Sequence, residues 1–346
     1  MTESLDRRAV GWGLAAAGLL VLGIYFGSGE LKYLDRALIS YTSACVFAIF
    51  GIVYRYNVWL QKPPTALYWR RGWELFLRPA HLPRNIVWLV VLIWRNVVLQ
   101  TFIMMRSHLR WGAHLLISWG CITAAAVTFP LVFGWVHFEP APQDPMVYEA
   151  FVFGIKAGAF PHESPVGWIT FHILDFCAVA ILIGIAFAFR RRMRDRGAMA
   201  VQQFSMDFLP LVMLVSICVT GLMLTVSSLW MHGQSYDFIA LVHAYVVIVT
   251  LLYLPFGKFF HIFQRPAQMG VQFYKMEGAV TEQALCRRCG ESYASLMQVQ
   301  DLKTVLDRLG LDQQMPVGHF QEVCPACRRR LLALNQLEAI GGPGFL

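Results

Sequence analysis

Four of the eight cysteines in this 346-residue chain stand in two closely spaced pairs near its C-terminal end. Cys286 and Cys289 form the first pair, Cys324 and Cys327 form the second, and 34 residues lie between the pairs. A pair with two intervening residues is typical of a metal-binding turn, because the backbone amides of the turn point at the sulfurs, and two such pairs supply the four thiolates of a tetrahedral site. The sequence therefore predicts that these four cysteines bind one metal ion.

The sequence leaves the identity of that metal open between zinc and iron. Zinc is favoured by four basic neighbours that resemble those of zinc-ribbon loops: Arg287, Arg288, Arg328 and Arg329. Iron, in a rubredoxin-like site or a shared cluster, uses the same thiolates. A disulfide would require an oxidising compartment, and the topology argued below places this tail in the reducing one. The other four cysteines stand singly in apolar stretches and are interpreted as small buried side chains.

Three of the ten histidines lie inside long apolar stretches, where an ionisable side chain is costly. They are His114, His172 and His243. A neutral imidazole is a good axial ligand for haem iron, and two helices of a bundle can each supply one. Gly112, Gly120 and the small residues 123–126 would let a flat macrocycle approach the helix that carries His114. For any single one of these histidines, the alternative is a hydrogen-bonded packing residue.

The elements that must position these side chains are membrane-spanning helices. The chain is 57% hydrophobic and 14% charged, with a mean hydropathy of +0.51, and this composition excludes an ordinary soluble domain. Six apolar stretches are long enough to cross a bilayer. They lie near 9–27, 37–57, 112–136, 166–189, 205–230 and 236–260. The predicted fold is an all-α polytopic transmembrane helix bundle with a small cytoplasmic four-cysteine tail.

The distribution of charge predicts the orientation of the spans. Lysine and arginine gather between the second and third spans and again at 190–196, whereas the 138–165 loop is acidic. Basic loops are held on the cytoplasmic side, so both termini are expected to be cytoplasmic in the cell (inner or plasma) membrane. The net charge of +8 is therefore attributed to topology, and no nucleic-acid partner is expected.

Residues 85–105 are apolar enough to resemble a seventh span. Arg95 and Asn96 fall at the centre of this stretch, where an unpaired arginine costs about 3 kcal/mol or more. A seventh span would also reverse the orientation of every later loop. The stretch is therefore predicted to be an amphipathic helix on the cytoplasmic face.

Three segments carry a family resemblance. They are VHAYVVIVTLLYLPFGKFFHIFQRP from residue 242, LRWGAHLLISWG from residue 109 and SYTSACVFAIFGIVYRYNVW from residue 40. These segments resemble the cytochrome b subunits of the respiratory nitrate reductase gamma type, including relatives in sulfate-reduction and heterodisulfide-reductase-like membrane complexes. The resemblance covers about residues 38–268. It implies that His114 and His243 hold a haem b.

Because residues 1–37 and the cysteine tail fall outside the resemblance, the chain is predicted to have three parts. Residues 1–37 would be an extra N-terminal transmembrane helix, 38–268 the haem b membrane domain and 269–346 the cytoplasmic zinc-ribbon-like tail. Within the tail, the run ASLMQVQDLKTVLDRLG is expected to form a helix that docks a partner.

The chain departs from the family at the second haem. The family carries a further histidine ten residues after the first ligand, and this chain has Ala124 there. If a second haem is present, His172 and His232 are the expected ligands, with His137 as a substitute.

The resemblance implies a haem b membrane subunit of a respiratory oxidoreductase complex. Such a subunit transfers electrons between the membrane quinone pool and a cytoplasmic partner that holds iron–sulfur clusters or molybdenum. No catalytic residues of its own are expected, so substrate chemistry would belong to that partner. Two functions from other classes stay open: a membrane-anchored scaffold with a zinc-binding docking tail, and a transporter whose histidines relay protons.

Overall fold

The computed structural model describes residues 5–195, 197, 200, 202–311, 313–315 and 318–339. It is mostly helical, at 73%. The helices run in chain order as α1 (Arg7–Gly27), α2 (Ile39–Leu60), α3 (Pro63–Phe76), α4 (Leu82–Ile93), α5 (Thr101–Met104), α6 (His108–Val132), α7 (Pro165–Arg194), α8 (Leu209–Trp230), α9 (Tyr236–Tyr253), α10 (His261–Val280), α11 (Leu296–Arg308) and α12 (Pro325–Ala339).

Six of these helices, within the described residues, are long and apolar enough to cross a membrane. They are α1, α2, α6, α7, α8 and α9, where short helical turns extend α2 back to Arg36 and α8 back to Phe204. Their number and positions confirm the six predicted spans and indicate a membrane protein.

The chain packs as two compact units. The first comprises Met1–Asn57 and Leu92–Phe263, and the second comprises Val58–Val91 and Gln264–Leu346. This division differs from the sequence boundaries at 37 and 268, because the segment after α2 packs with the C-terminal part of the chain rather than with the spans.

In the first unit, consecutive helices pack antiparallel. A Cβ atom at Gly120 of α6 would come within 2.6 Å of Ile181 on α7, and one at Gly184 of α7 would come within 2.8 Å of Ile117 on α6. Helix α7 packs in turn on α8, and α8 packs on α9. The glycines thus allow close helix approach, as small residues do in membrane bundles. Gly120, predicted to make room for a macrocycle, instead faces a neighbouring helix.

A three-stranded antiparallel sheet occupies the segment predicted as the acidic loop. Its strands are β1 (Val136–Ala141), β2 (Asp144–Val152) and β3 (Ile155–Pro161), in that order. Phe153 and Gly154 both have positive φ, at 51° and 76°, and join β2 to β3 in a two-residue turn that suits the twist of a hairpin. The all-α prediction missed this sheet because the loop was interpreted from its charge alone.

The predicted helix over 85–105 is interrupted. Helix α4 ends at Ile93, a π-helical turn covers Trp94–Val98, and Gln100 takes a left-handed conformation with φ of 51° before α5. Helices Pro63–Phe76 and Pro79–Val98 are bent by 66° relative to each other and together pass as a broken span, so the number of spans can rise to seven.

In the second unit, a buried carboxylate joins three helices. Asp301 of α11 accepts hydrogen bonds from Arg71 of α3 at 3.0 Å and from the Tyr274 hydroxyl of α10 at 2.9 Å. Burial and the hydrogen bond to Asp301 raise the pKa of Tyr274, so the tyrosine is the donor. The rest of this unit contains α12 and two short hairpins, β4 (Gln283–Leu285) with β5 (Ser292–Ser295) and β6 (Gln314–Met315) with β7 (Gly318–His319).

Candidate functional site

The four paired cysteines meet at one point of the second unit. The Sγ atoms of Cys286, Cys289, Cys324 and Cys327 all lie within 4.8 Å of one another. The Cys289 and Cys324 sulfurs are 3.7 Å apart. These sulfurs form a group that could hold a metal ion, as the sequence predicted.

The first cysteine pair lies in the turn between β4 and β5. Gly290 has φ of 76°, a conformation that glycine adopts without a steric penalty, and its amide donates to the Cys286 carbonyl at 2.8 Å. The tight turn also directs the Arg288 amide at the Cys286 sulfur, at 3.4 Å. The local sequence CRRCG therefore forms the tight turn that two cysteines with two intervening residues predict.

The second pair lies at the start of α12. The Cys324 amide donates to the Cys286 sulfur at 3.2 Å, and the Cys327 amide donates to the Cys324 sulfur at 3.4 Å. Cys286, Val323 and Cys324 are buried together, with the side chains of Tyr293 and Leu331 packed against them. The two turns are thus joined both by hydrogen bonds to sulfur and by a small apolar core.

Two of the four basic neighbours support this fold from outside the sulfur cluster. The Arg287 guanidinium lies 2.9 Å from a carboxylate oxygen of Glu322. The Arg328 guanidinium donates to the Val323 carbonyl at 2.6 Å and to the Gln321 carbonyl at 3.2 Å. These bonds hold the segment that precedes the second pair.

The cysteine thiols have unequal acidities. Burial acts to raise the pKa of Cys286, but amide donors from Cys324, Cys289 and Arg288 outweigh it and bring that pKa to about 6. Burial and the neighbouring sulfurs raise the pKa of Cys327 to about 12. A thiolate is the metal-binding form, so a cation that compensates the shared negative charge is what would allow all four to ionise.

His114 of α6 is held by a buried glutamine. Its Nδ1 atom lies 2.6 Å from Oε1 of Gln100, whose amide nitrogen donates to Ser118 Oγ at 2.8 Å and to the Val97 carbonyl at 3.3 Å. Since the amide nitrogen faces the carbonyl, the amide oxygen faces the imidazole and Nδ1 must donate. The proton of neutral His114 is then on Nδ1, and the lone pair is on Nε2.

His243 of α9 is held in the same way by a hydroxyl group. Its Nδ1 atom lies 2.8 Å from Thr220 Oγ1 on α8. The Thr220 hydroxyl already donates to the Ser216 carbonyl at 2.7 Å, so it accepts from Nδ1. His243 therefore also carries its lone pair on Nε2. Gly221 places bare backbone beside this ring, because a Cβ atom there would come 3.4 Å from Cε1.

His172 of α7 is bonded to a carboxylate that the sequence interpretation did not single out. Its Nδ1 atom lies 2.8 Å from Oδ2 of Asp175, and Oδ1 of Asp175 accepts from Thr225 of α8 at 2.7 Å. The signal for Asp175 was available in the sequence, because it is the acidic residue farthest from the ends of the six spans.

The other two predicted haem ligands lie outside the helices. His232 is exposed in the connection from α8 to α9, with φ of 52°. His137 lies on β1 between the rings of Tyr33 and Phe151, with centroid distances of 3.9 and 5.0 Å. His137 is thus a stacked residue of the sheet.

The side-chain contacts between helices relate the levels of the histidines along the bundle. Along the axis of the bundle, Thr220 lies at the same height as His243, and Thr225 lies at the same height as Asp175. Because α7 runs antiparallel to both α8 and α6, His243 lies at the height of about residue 180 of α7 and about residue 119 of α6. At 1.5 Å of rise per residue, His114 and His243 differ in level by about 8 Å. His172 lies about 12 Å from the level of His243 in the opposite direction. Of the two other histidines, His114 is thus nearer in level to His243.

No protein-family model matches this chain, and no curated protein or solved structure matches it either.

Proposed function

We propose that this chain is the haem b membrane subunit of a respiratory oxidoreductase complex. It transfers electrons between the membrane quinone pool and a cytoplasmic partner that holds iron–sulfur clusters or molybdenum. The proposal includes the resemblance to the nitrate reductase gamma type of cytochrome b, cytoplasmic termini and an inner or plasma membrane location. Substrate chemistry belongs to the partner.

The observation that carries the proposal is the hydrogen bond that orients each of the two imidazoles, His114 and His243. Each lies in a helix able to span a membrane, and each donates Nδ1–H to a neutral side-chain oxygen, Gln100 Oε1 or Thr220 Oγ1. Metal-bound histidines almost always donate their other ring nitrogen in this way, because the bond orients the ring and raises its basicity.

Two imidazoles on separate candidate spans, each oriented through Nδ1, supply the donor set of a bis-histidine haem. His114 and His243 would hold the iron through Nε2, with Gln100 and Thr220 as the supporting acceptors. When bound, haem b supplies one-electron redox chemistry, and the axial ligands, the burial and these hydrogen bonds set its potential. Gln100 has a left-handed backbone, which a non-glycine residue adopts at a cost of about 1–3 kcal/mol and which clusters at functional sites.

For the cysteine tail we propose zinc. The four sulfurs form a closed tetrathiolate set, and a structural zinc site is of this type. Arg287 and Arg328 stabilise the protein around the cluster. The tail would then be a rigid surface on the side where a partner docks.

Absorbance spectroscopy of the purified full-length chain tests the haem proposal. We expect b-type bands in the reduced-minus-oxidised spectrum and a b-type pyridine haemochrome. His243→Ala should remove one haem per chain, and Thr220→Val should weaken haem retention about 10- to 100-fold, because it removes only the supporting oxygen.

His108→Ala is the matched control, since His108 is exposed at the start of the helix that carries His114. It should leave the haem content unchanged. Absence of haem from the purified chain would overturn the proposal and favour the membrane-anchored scaffold. An unchanged haem content in His243→Ala would show that the ligand lies elsewhere.

A further inference from the structure

The last turns of α7 carry arginines that differ in how their charge is balanced. The Arg192 guanidinium lies 3.3 Å from a carboxylate oxygen of Asp207, and its Cζ atom lies 5.9 Å from the centre of the Phe208 ring. Arg190 and Arg194 are exposed, and neither forms an ion pair with another described residue. The protein therefore balances the charge of Arg192 and leaves the other two available to a ligand.

A cavity of about 370 Å³ opens beside these two arginines, between the start of α6 and the end of α7. Its lining consists of Leu109 from α6 and of Phe187, Arg190, Arg191, Arg194 and Asp195 at the end of α7. Residues 187, 190, 191 and 194 are spaced by three and four positions, so they share one face of the helix. The volume falls within the range of ligand pockets, roughly 300–1,000 Å³.

The charge around this cavity is predominantly positive. Three arginines and one aspartate line it, which leaves two net positive charges. Arg110 of α6 is close enough to repel Arg191, whereas Asp195 attracts it. Positive charges held together repel one another, and a cleft of one sign concentrates ions of the opposite sign. An anion bound in the cavity would offset this repulsion.

The length of α7 places the apolar and basic parts of the cavity at different depths of a membrane. Its 30 residues measure about 45 Å, whereas a hydrocarbon layer is about 30 Å thick. A centred helix would extend about five residues into the headgroup layer at each end. The three arginines of the cavity lie within the last five residues of α7, and Phe187 lies one turn deeper. This order of apolar and basic groups matches the acyl chains and the phosphate of a phospholipid.

We propose that the cavity binds the headgroup of an anionic phospholipid. Arg190, Arg191 and Arg194 are the ligands of its phosphate, because a guanidinium group can donate two parallel hydrogen bonds to phosphate oxygens. Phe187 and Leu109 contact its acyl chains. Basic pockets between transmembrane helices are known to bind such headgroups. An acidic protein segment would meet the same arginines, but the two apolar side chains of the lining favour a lipid.

Lipid that stays with the purified full-length chain tests the proposal, when it is extracted and quantified by mass spectrometry. The chain is first reconstituted in an equal mixture of phosphatidylglycerol and phosphatidylcholine with the same acyl chains. We expect phosphatidylglycerol to be retained in preference to phosphatidylcholine. Arg190→Gln combined with Arg194→Gln should lower that retention about 25-fold, because each basic residue near a membrane surface contributes about fivefold to affinity.

Arg7→Gln combined with Arg8→Gln is the matched control. It removes the same charge from two exposed arginines at the start of another candidate span, so retention of phosphatidylglycerol should not change. Phe187→Ala leaves the charge of the cavity unaltered and should still weaken retention, because it removes a contact with the acyl chains. A site for free phosphate would not respond to this last change.

Equal retention of the two lipids by the unmodified chain would contradict the proposal and favour an acidic protein segment as the occupant. Loss of phosphatidylglycerol from the control variant would also contradict it, because the attraction would then be general to the surface. Displacement of the lipid by an excess of inorganic phosphate would assign the site to free phosphate instead. The measurement requires neither haem nor an electron-transfer partner, so its outcome is separate from that of the proposed function.

Discussion

The cysteines of the tail and the histidines of the spans are both metal-ligand types, but the structure brings them together to different degrees. All four cysteine sulfurs lie within 4.8 Å of one another. The three span histidines each bond to a separate partner, namely Gln100, Asp175 and Thr220. Each cysteine pair shares one turn, so its geometry is set by neighbours in sequence. A histidine ligand depends on helices that are distant in sequence, and spacing alone does not reveal its partner.

Removal of one cysteine gives the largest expected effect and tests whether the tail is organised by its metal. Cys324→Ser should lower the metal content of the purified chain from about one ion to near zero, because three thiolates do not complete the tetrahedral set. Structural zinc contributes about 10–16 kcal/mol to the folding of small zinc modules, so the tail should also become sensitive to protease. Elemental analysis and limited proteolysis of the full-length chain measure both effects.

Cys218→Ser is the control for this change. Cys218 is also buried, at 4% exposure, but it packs in an apolar cluster of the spans that includes Ile181, Ile185 and Cys121. It should leave the metal content unchanged. Equal metal loss in the two variants would mean that the ion is not held by the tail cluster.

Asp301 is an exception to the contrast between the locally determined tail and the spans, because it lies in the tail but bonds to Arg71, which is 230 residues away in sequence. Arg71→Ala leaves a buried carboxylate with Tyr274 as its remaining donor, at an expected cost of about 2 kcal/mol after allowance for the partial exposure of Arg71. Amides of α11 should then exchange hydrogen about 30-fold faster, since every 1.4 kcal/mol is tenfold. Hydrogen exchange measured by mass spectrometry reports this directly.

Arg70→Ala provides the comparison one position away. Arg70 is more exposed and pairs with Glu74 at 3.4 Å on the surface of α3. Exposed pairs of this kind contribute about 0.5 kcal/mol or less, so exchange in α11 should hardly change. If both variants had the same effect, the loss would reflect α3 itself and not the bond to Asp301.

The features that sequence reasoning predicted are those that depend on neighbouring residues. Six spans follow from runs of apolar side chains, and the cysteine cluster follows from two short spacings. The features it missed depend on distant pairs: Thr225 is 50 residues from Asp175, and Arg71 is 230 residues from Asp301. The sheet β1–β3 was missed for another reason, because its alternating strands were available in the sequence but were interpreted only as charge.

His137 belongs neither to the cysteines of the tail nor to the histidines of the spans, and its substitution has the smallest expected effect. Burial lowers its pKa, with repulsion from Lys32 acting in the same direction and attraction to Glu139 opposing both. The folded chain therefore holds this imidazole neutral more strongly than the unfolded chain does. Its contribution to stability is complete above the unfolded value of about 6.5 and is lost progressively as the pH falls below that value.

His137→Phe keeps an aromatic ring between Tyr33 and Phe151 but removes the titratable group, so it separates stacking from protonation. We expect protection factors of β1 and β2 to fall between about pH 7.5 and pH 5.5 in the unmodified chain and to stay constant in the variant. His162→Phe, at an exposed histidine ahead of α7, should retain the pH dependence. If that dependence persisted in His137→Phe, another group would be responsible. A dependence that disappears would instead establish His137 as a neutral packing residue, and would leave the span histidines as the better ligands.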